Sequence, residues 1–227
     1  MTLTFPQLCG LSNSHIAPQL NIHKEVIPSF LALQKAAKDA GFDLCIASGF
    51  RDFYRQRLIW NNKFTGKRPV LDRYAHPLDT SELSDIERIH AIMHWSSLPA
   101  TSRHHWGSDM DIYAKNLLPA QVHLQLEPWE YEKEGHQYPF SQWLIANMHH
   151  YDFFLPYEKY LGGVAVEPWH ISYYPLAQKA QTLLSKEALY QILKKVNKDF
   201  PIAGCSTILK NFNTLYSQYI INVNEVI

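Results

Sequence analysis

Two short segments hold most of the residues whose types could do chemistry. Ser102-Arg103-His104-His105-Trp106-Gly107-Ser108-Asp109-Met110-Asp111 places histidines, a Gly turn and two acids close together. Glu167-Pro168-Trp169-His170 adds an acid and another histidine later in the chain. Together they offer the N and O ligands that zinc accepts. A catalytic zinc keeps three protein ligands and one open position, and it brings the pKa of a water there to about 7. A carboxylate that does not ligate the metal can then carry a proton from the water to the leaving amine. Two histidines, one aspartate and one spare glutamate make up that inventory.

Spacing narrows the geometry. Asp109 and Asp111 are two apart on an expected strand, so they share one face. His104 precedes Gly107, in the loop entering that strand, and a loop histidine can converge with a strand acid. Glu167 and His170 are three apart, which on a regular strand puts them on opposite faces. Both reach one site only if the strand bends or ends between them, and Pro168, which cannot donate a ladder hydrogen bond, makes that break plausible. The remaining histidines, His76, His90, His94, His123, His136 and the pair His149-His150, are read as structural or exposed rather than as ligands.

These segments resemble the VanY-type branch of the zinc D-alanyl-D-alanine carboxypeptidases, in the LAS superfamily. That pattern reads S-x-H-x-x-G-x-x-x-D and then E-x-W-H, matched by Ser102, His104, Gly107 and Asp111, then Glu167, Trp169 and His170. A third segment, S-G-[YF]-R followed by Gln, is matched by Ser48-Gly49-Phe50-Arg51 and Gln56. The three occur in the family's order across residues 44–173. The resemblance implies one Zn2+ per chain, held by His104, Asp111 and His170, with Glu167 as general base and then acid. It implies that Arg51 binds substrate near the scissile carbonyl, that Ser102 contacts the terminal carboxylate, and that Ser48 and Gln56 shape the same pocket. Asp109 departs from the pattern, where a small or apolar residue is more usual. It could compete as a ligand or orient His104. Ser172 departs too, where some members carry Arg.

The elements that must position these residues are legible in part. Residues 23–40 have helical apolar spacing before Gly41, Phe42–Ser48 reads as a strand, and residues 52–63 read as a helix capped by Asp52. Residues 64–80 read as a loop, Ser81–Trp95 as a helix with capping chemistry, residues 97–108 as irregular and Asp109–Ala114 as a strand. A polar, aromatic excursion over 116–138 is expected to cover the site. Phe140–His150 should be helical, Phe153–Leu155 and Gly163–Tyr173 should be strands joined by a turn, and Pro175–Lys195 one or two helices. The tail after Pro201 is ambiguous. The mixture lacks regular βα alternation, which favours an α+β fold with a small central antiparallel sheet flanked by helices. A single domain over 1–227 is expected, with a motif-bearing core at 23–195 and a C-terminal extension at 196–227.

Composition excludes several classes. The 227 residues carry 21 Lys+Arg and 21 Asp+Glu, a formal net charge of zero, so no basic stripe points to nucleic acid. With 46% hydrophobic residues, a sizeable core is available. Cys9, Cys45 and Cys205 are far apart and read as reduced thiols. The N-terminus does not read as a signal peptide and no long apolar run suggests a membrane span, so a cytoplasmic location is expected. The oligomeric state stays open.

The expected reaction is removal of a C-terminal D-alanine from a muropeptide or peptidoglycan stem peptide. The cytoplasmic expectation tips the choice toward an L,D-carboxypeptidase that shortens tetrapeptide to tripeptide in cell-wall recycling, because a D,D-enzyme there would destroy the pentapeptide precursor. The alternatives are a D,D-carboxypeptidase, a D-Ala-D-Ala dipeptidase and a non-catalytic zinc-stabilised wall-peptide binding domain. Glu167 argues against the last, since a structural zinc needs no spare base.

Overall fold

The computed structural model describes residues 2–224. Its first long helix, α1 (Ile27–Asp39), begins with a Pro in its first turn and buries Phe30, Leu33 and Ala37 along one stripe. It starts later than residue 23 because Ile22–His23 pairs with Ile16–Ala17 in a short antiparallel ladder, and the His23 ring accepts from the Glu25 N–H to open a 3-10 turn. Strand β1 (Leu44–Ser48) follows. Helix α2 (Phe53–Phe64) is capped as expected, with Asp52 Oδ1 accepting from the Arg55 N–H at 2.7 Å. The connection that reads as a loop contains a small ladder, Val70–Leu71 with Pro77–Leu78. Helix α3 (Asp85–Met93) is shorter than the 81–95 expectation because the Ser84/Glu87 capping box sets its start.

A 3-10 turn at Arg103–Trp106 ends on Gly107 at φ 70° and leads into strand β2 (Asp109–Ala114). A Cβ on Gly107 would lie 2.8 Å from the His23 backbone N, so the turn packs too closely there for any side chain. Helix α4 (Tyr138–Asn147) passes into a 3-10 turn that carries His149 and His150. Strands β3 (Phe153–Phe154) and β4 (His170–Tyr173) complete the sheet. Residues 163–169 are therefore not strand, a correction to the 163–173 expectation. The reason is the turn at Pro168-Trp169, closed by the His170 N–H donating to the Glu167 carbonyl at 3.1 Å. The stretch expected to hold one or two helices holds two, α5 (Tyr174–Leu183) and α6 (Lys186–Asp199), and the ambiguous tail is largely helical, with segments at Cys205–Lys210 and Phe212–Leu215. Positions 225–227 of the expected C-terminal extension lie outside the described residues.

The sheet is antiparallel in the order β1-β2-β4-β3. Helices bury it with one continuous core that includes Phe30, Trp60, Ile89, Ile92, Ile112 and Ile171. This is the α+β architecture the sequence indicates. Cys9, Cys45 and Cys205 are free thiols, and none of the described helices is long and apolar enough to cross a membrane.

Candidate metal centre and active site

Asp111 sits in the middle of the sheet, in register with Ser48 on β1 and with His170 on β4. A bulge between Ile46 and Ser48 adjusts β1 beside it. His104, from the 3-10 turn, brings its Nε2 to 3.5 Å from Asp111 Oδ2, and His170 brings its Nδ1 to 3.4 Å from Asp111 Oδ1. One ligand atom from each of the three residues lies within 4.8 Å of the others, and all three residues are buried.

Each histidine has its other nitrogen engaged. His104 Nδ1 donates to the Gly49 carbonyl at 2.8 Å, because a carbonyl only accepts, and this leaves Nε2 as the inward lone pair. Gly49 is held in place by Asn21, whose carbonyl accepts from the Phe50 N–H; a Cβ on Gly49 would lie 2.3 Å from that oxygen. His170 Nε2 donates to Asp109 Oδ1 at 3.1 Å, which leaves Nδ1 inward. Two aimed imidazole nitrogens and one carboxylate, each oriented by a further bond, fit zinc with an open position.

Asp109 is thus neither a ligand nor the partner of His104. It is fully buried, paired with Arg103 Nε at 2.7 Å, and also accepts from the Ser108 and Ser172 hydroxyls. Arg103 further donates to Ser172 Oγ and Gln181 Oε1 and lies over the Trp106 ring. Burial alone would raise the Asp109 pKa, but Arg103, His170 and Ser108 hold it well below the usual carboxylate range. Asp111 is likewise opposed by burial, yet His104, His170 and Arg51 bring it down to about 2. Burial pushes His104 down, with Arg51 adding to that. For His170 burial is outweighed by Asp109, Glu167 and Asp111, and its pKa rises to about 9.

Glu167 stands at the head of the Pro168-Trp169 turn, with Oε2 3.1 Å from His170 Nδ1. Its N–H donates to the Tyr157 carbonyl, and Trp169 packs against Tyr131. Glu167 and His170 reach one site because the chain turns between them, which resolves the problem their spacing poses on a strand. Arg51 Nη2 lies 3.5 Å from Asp111 Oδ2 and its Nη1 donates to Gln56 Oε1 at 3.0 Å. Arg51's backbone is bound at both ends to the ligand turn, its N–H donating to the His104 carbonyl and its carbonyl accepting from His105 Nδ1.

Two spaces flank the centre. A cavity of about 40 Å³ is lined by Ser96, Ser97, Ser102, Tyr157 and Glu167, together with Arg51 and His170. A groove of about 780 Å³ opens on the other side, past Ser48, Arg51, Arg55, Gln34 and Asp111. Ser102 therefore lies where a small leaving group would sit, but Ser48 lies on the groove side and does not share that cavity. Gln56 is fully buried and lines neither space; it donates to the Ser97 carbonyl at 2.7 Å and acts through Arg51. Sequence reasoning missed Tyr157, whose ring meets His170 edge-on at 5.0 Å, and gave Arg103 no role. Nothing around Tyr157 marks it in sequence, whereas Arg103 beside a ligand and six residues before a buried acid was a signal.

A family model described as VanY, D-alanyl-D-alanine carboxypeptidase, matches residues 19–176. The chain belongs to the VanY family. VanY-type chains are zinc metallocarboxypeptidases acting on peptidoglycan peptides, and His104, Asp111 and His170 form the candidate zinc site of this one. An uncharacterized protein of Haemophilus influenzae is 43% identical over 126 residues, covering 55% of this chain and 93% of that one. The putative carboxypeptidase YodJ of Bacillus subtilis is 23% identical over 184 residues, which is 78% of this chain and 55% of YodJ. Among solved structures, VanYB in complex with D-alanine-D-alanine shares the fold, with a TM-score of 0.50, 22% identity, and coverage of 76% of this chain and 82% of that one.

Proposed function

We propose that this VanY-family chain removes one D-alanine from the free C-terminus of a peptidoglycan stem peptide, and that it does so as an L,D-carboxypeptidase on tetrapeptides. The observation that carries the reading is the asymmetry of the two spaces: about 40 Å³ beside Glu167, about 780 Å³ beyond Asp111. A one-residue leaving group with a methyl side chain suits the small cavity. The long branched side chain of a diamino acid suits the groove, whereas a D,D-cut would put a second alanine there.

Bound zinc would supply Lewis acidity and an activated water at the open position. This chain's own residues supply the rest. Glu167, facing both the centre and the small cavity, takes the proton and returns it to the leaving amine. Arg51, locked by Gln56 and Asp111, presents a fixed fork of donors to the scissile carbonyl or its oxyanion. The Ser102 hydroxyl faces the leaving residue.

We further propose a cytoplasmic place in cell-wall recycling, which fits the L,D reading because a D,D-enzyme in that compartment would destroy the pentapeptide precursor. Cell fractionation with antibody detection tests this; recovery outside the cytoplasm rules it out. The catalytic reading is tested by mass spectrometry after incubation with muramyl tetrapeptide and pentapeptide, each with and without a chelator. Chelator-sensitive loss of alanine from the tetrapeptide supports it. Efficient cleavage of the pentapeptide alone sinks the L,D assignment and leaves a D,D-enzyme.

A further inference from the structure

Lys63 lies on α2, seven residues after Gln56 and on the same side of the helix, partly buried beside Ser96, which lines the small cavity. Its Nζ donates to Ser96 Oγ at 2.8 Å, and among the described residues no carboxylate lies within ion-pair distance of it. An ammonium taken out of water without a counter-charge is costly. The charges around it deepen the question. Burial is the main influence holding its pKa down to about 8; Glu167 attracts it, but Arg68 and Arg51 repel it. At neutral pH it stays largely protonated; Arg51 has Asp111 beside it, whereas Lys63 has only Glu167, beyond ion-pair distance and committed to moving a proton.

The cavity that Ser96 lines presents a cluster of hydroxyls on the wall it shares with Ser97 and Ser102, alongside the Glu167 carboxylate. Ser96 Oγ accepts from Lys63, which leaves its own O–H free to donate. Ser97 and Ser102 line the same space, and among the described residues neither hydroxyl has a protein partner. A chain from ammonium to hydroxyl to cavity, with two more hydroxyls beside it, is complementary to a carboxylate about the size of the one at a peptide's end.

We infer that Lys63, acting through Ser96, reads the free carboxylate of the substrate's C-terminal residue and so confines the enzyme to chain ends. This rests on the carboxypeptidase reading above. Lys63 is a specificity-determining residue that acts through Ser96, while Ser96, Ser97 and Ser102 would touch the substrate.

The test compares one tetrapeptide as its free acid and as its C-terminal amide, on zinc-loaded wild type, Lys63→Met, Lys63→Arg and Ser96→Ala. The ratio of kcat/KM for acid over amide should fall about 10–100-fold in Lys63→Met, mainly through KM of the acid. Zinc content and the slow turnover of the amide should not change. Lys63→Arg should recover part of the ratio, and Ser96→Ala should lose it without removing the cation. An unchanged ratio in a folded, zinc-loaded Lys63→Met protein overturns the inference. Calorimetric titration with D-alanine and D-alaninamide reads the same interaction without turnover. Wild type should prefer D-alanine and Lys63→Met should not; equal preference in both overturns it. If wild type cleaves neither peptide, the carboxypeptidase reading fails, and the titration still decides the role of Lys63.

Discussion

Asp109 Oδ1 accepts from His170 Nε2 at 3.1 Å, and that bond decides which nitrogen of His170 is left for a metal. Removing the charge while keeping the shape, as in Asp109→Asn, should weaken zinc binding about 10–100-fold. Competition against a coloured chelator measures it, and wild-type affinity would refute the orienting role. Asp109→Ala should also destabilise the fold by about 3–5 kcal/mol, because Arg103 is left buried and unpaired. Denaturant melts of the metal-free protein separate that loss from the loss of zinc.

Glu167 is expected to move protons without holding the metal. Glu167→Gln should lower kcat about 10²–10⁴-fold while zinc content by elemental analysis stays at one per chain. Loss of the metal along with activity would make Glu167 a ligand instead.

Zinc binding should release protons, and the pKa directions say from where. In the metal-free protein His170, at about 9, is protonated at pH 7 and must lose a proton to offer Nδ1. Asp111, at about 2, is already ionised, and His104, held low by burial, is already neutral. Calorimetry in buffers of different ionisation enthalpy should find that His170 contributes about one released proton per zinc at pH 7, beside the share given up by the zinc-bound water, and that the His170 contribution disappears above pH 9. The sign for metal-free stability is the same: a histidine raised from 6.5 to about 9 contributes fully below 6.5 and loses that contribution as pH rises through 9. Proton release that shows no loss of the His170 contribution as pH rises through 9 would contradict this assignment.

Gln56 positions Arg51 from beneath rather than lining the pocket. Gln56→Leu should cut kcat/KM about 10–100-fold through a misplaced guanidinium, with zinc affinity unchanged. Steady-state kinetics on zinc-loaded protein checks it; a wild-type rate would leave Arg51 held by Asp111 alone.

The ligand inventory was legible because each ligand sits at a motif position whose chemistry is local. His104 precedes a required Gly turn, Asp111 lies on a strand, and His170 follows a Pro-bearing turn and opens the next strand. Asp52 announces a helix start through capping chemistry, and the cap is observed; the capping chemistry at Ser81, Ser84 and Asp85 points to the next helix, whose start falls at Asp85 rather than Ser81 because Ser84 pairs with Glu87. What could not be read was pairing across the chain. The bond from Asp109 to His170 needs the register of β2 against β4, which opposes Asp109 to Ser172. Gln56 and Ser48 fall on different sides of Arg51 because a buried helix face carries one and a bulged edge strand the other. Tyr157 reaches the site on a connector, and Lys63 only because α2 packs beside the Ser96 segment.

Asp111 is flanked in register by Ser48 and His170, so inserting one residue in β2 would turn it to the opposite face and abolish the centre at a stroke. The part of the small cavity's wall away from the metal ligands has no such constraint. Ser96 and Ser97 follow α3, and Tyr157 lies in the connector between β3 and β4. Such connectors accept insertions and exchanges that strands refuse. A lineage built on this chain can therefore change which peptide end it accepts by altering connectors, without ever passing through an ancestor that has lost its metal.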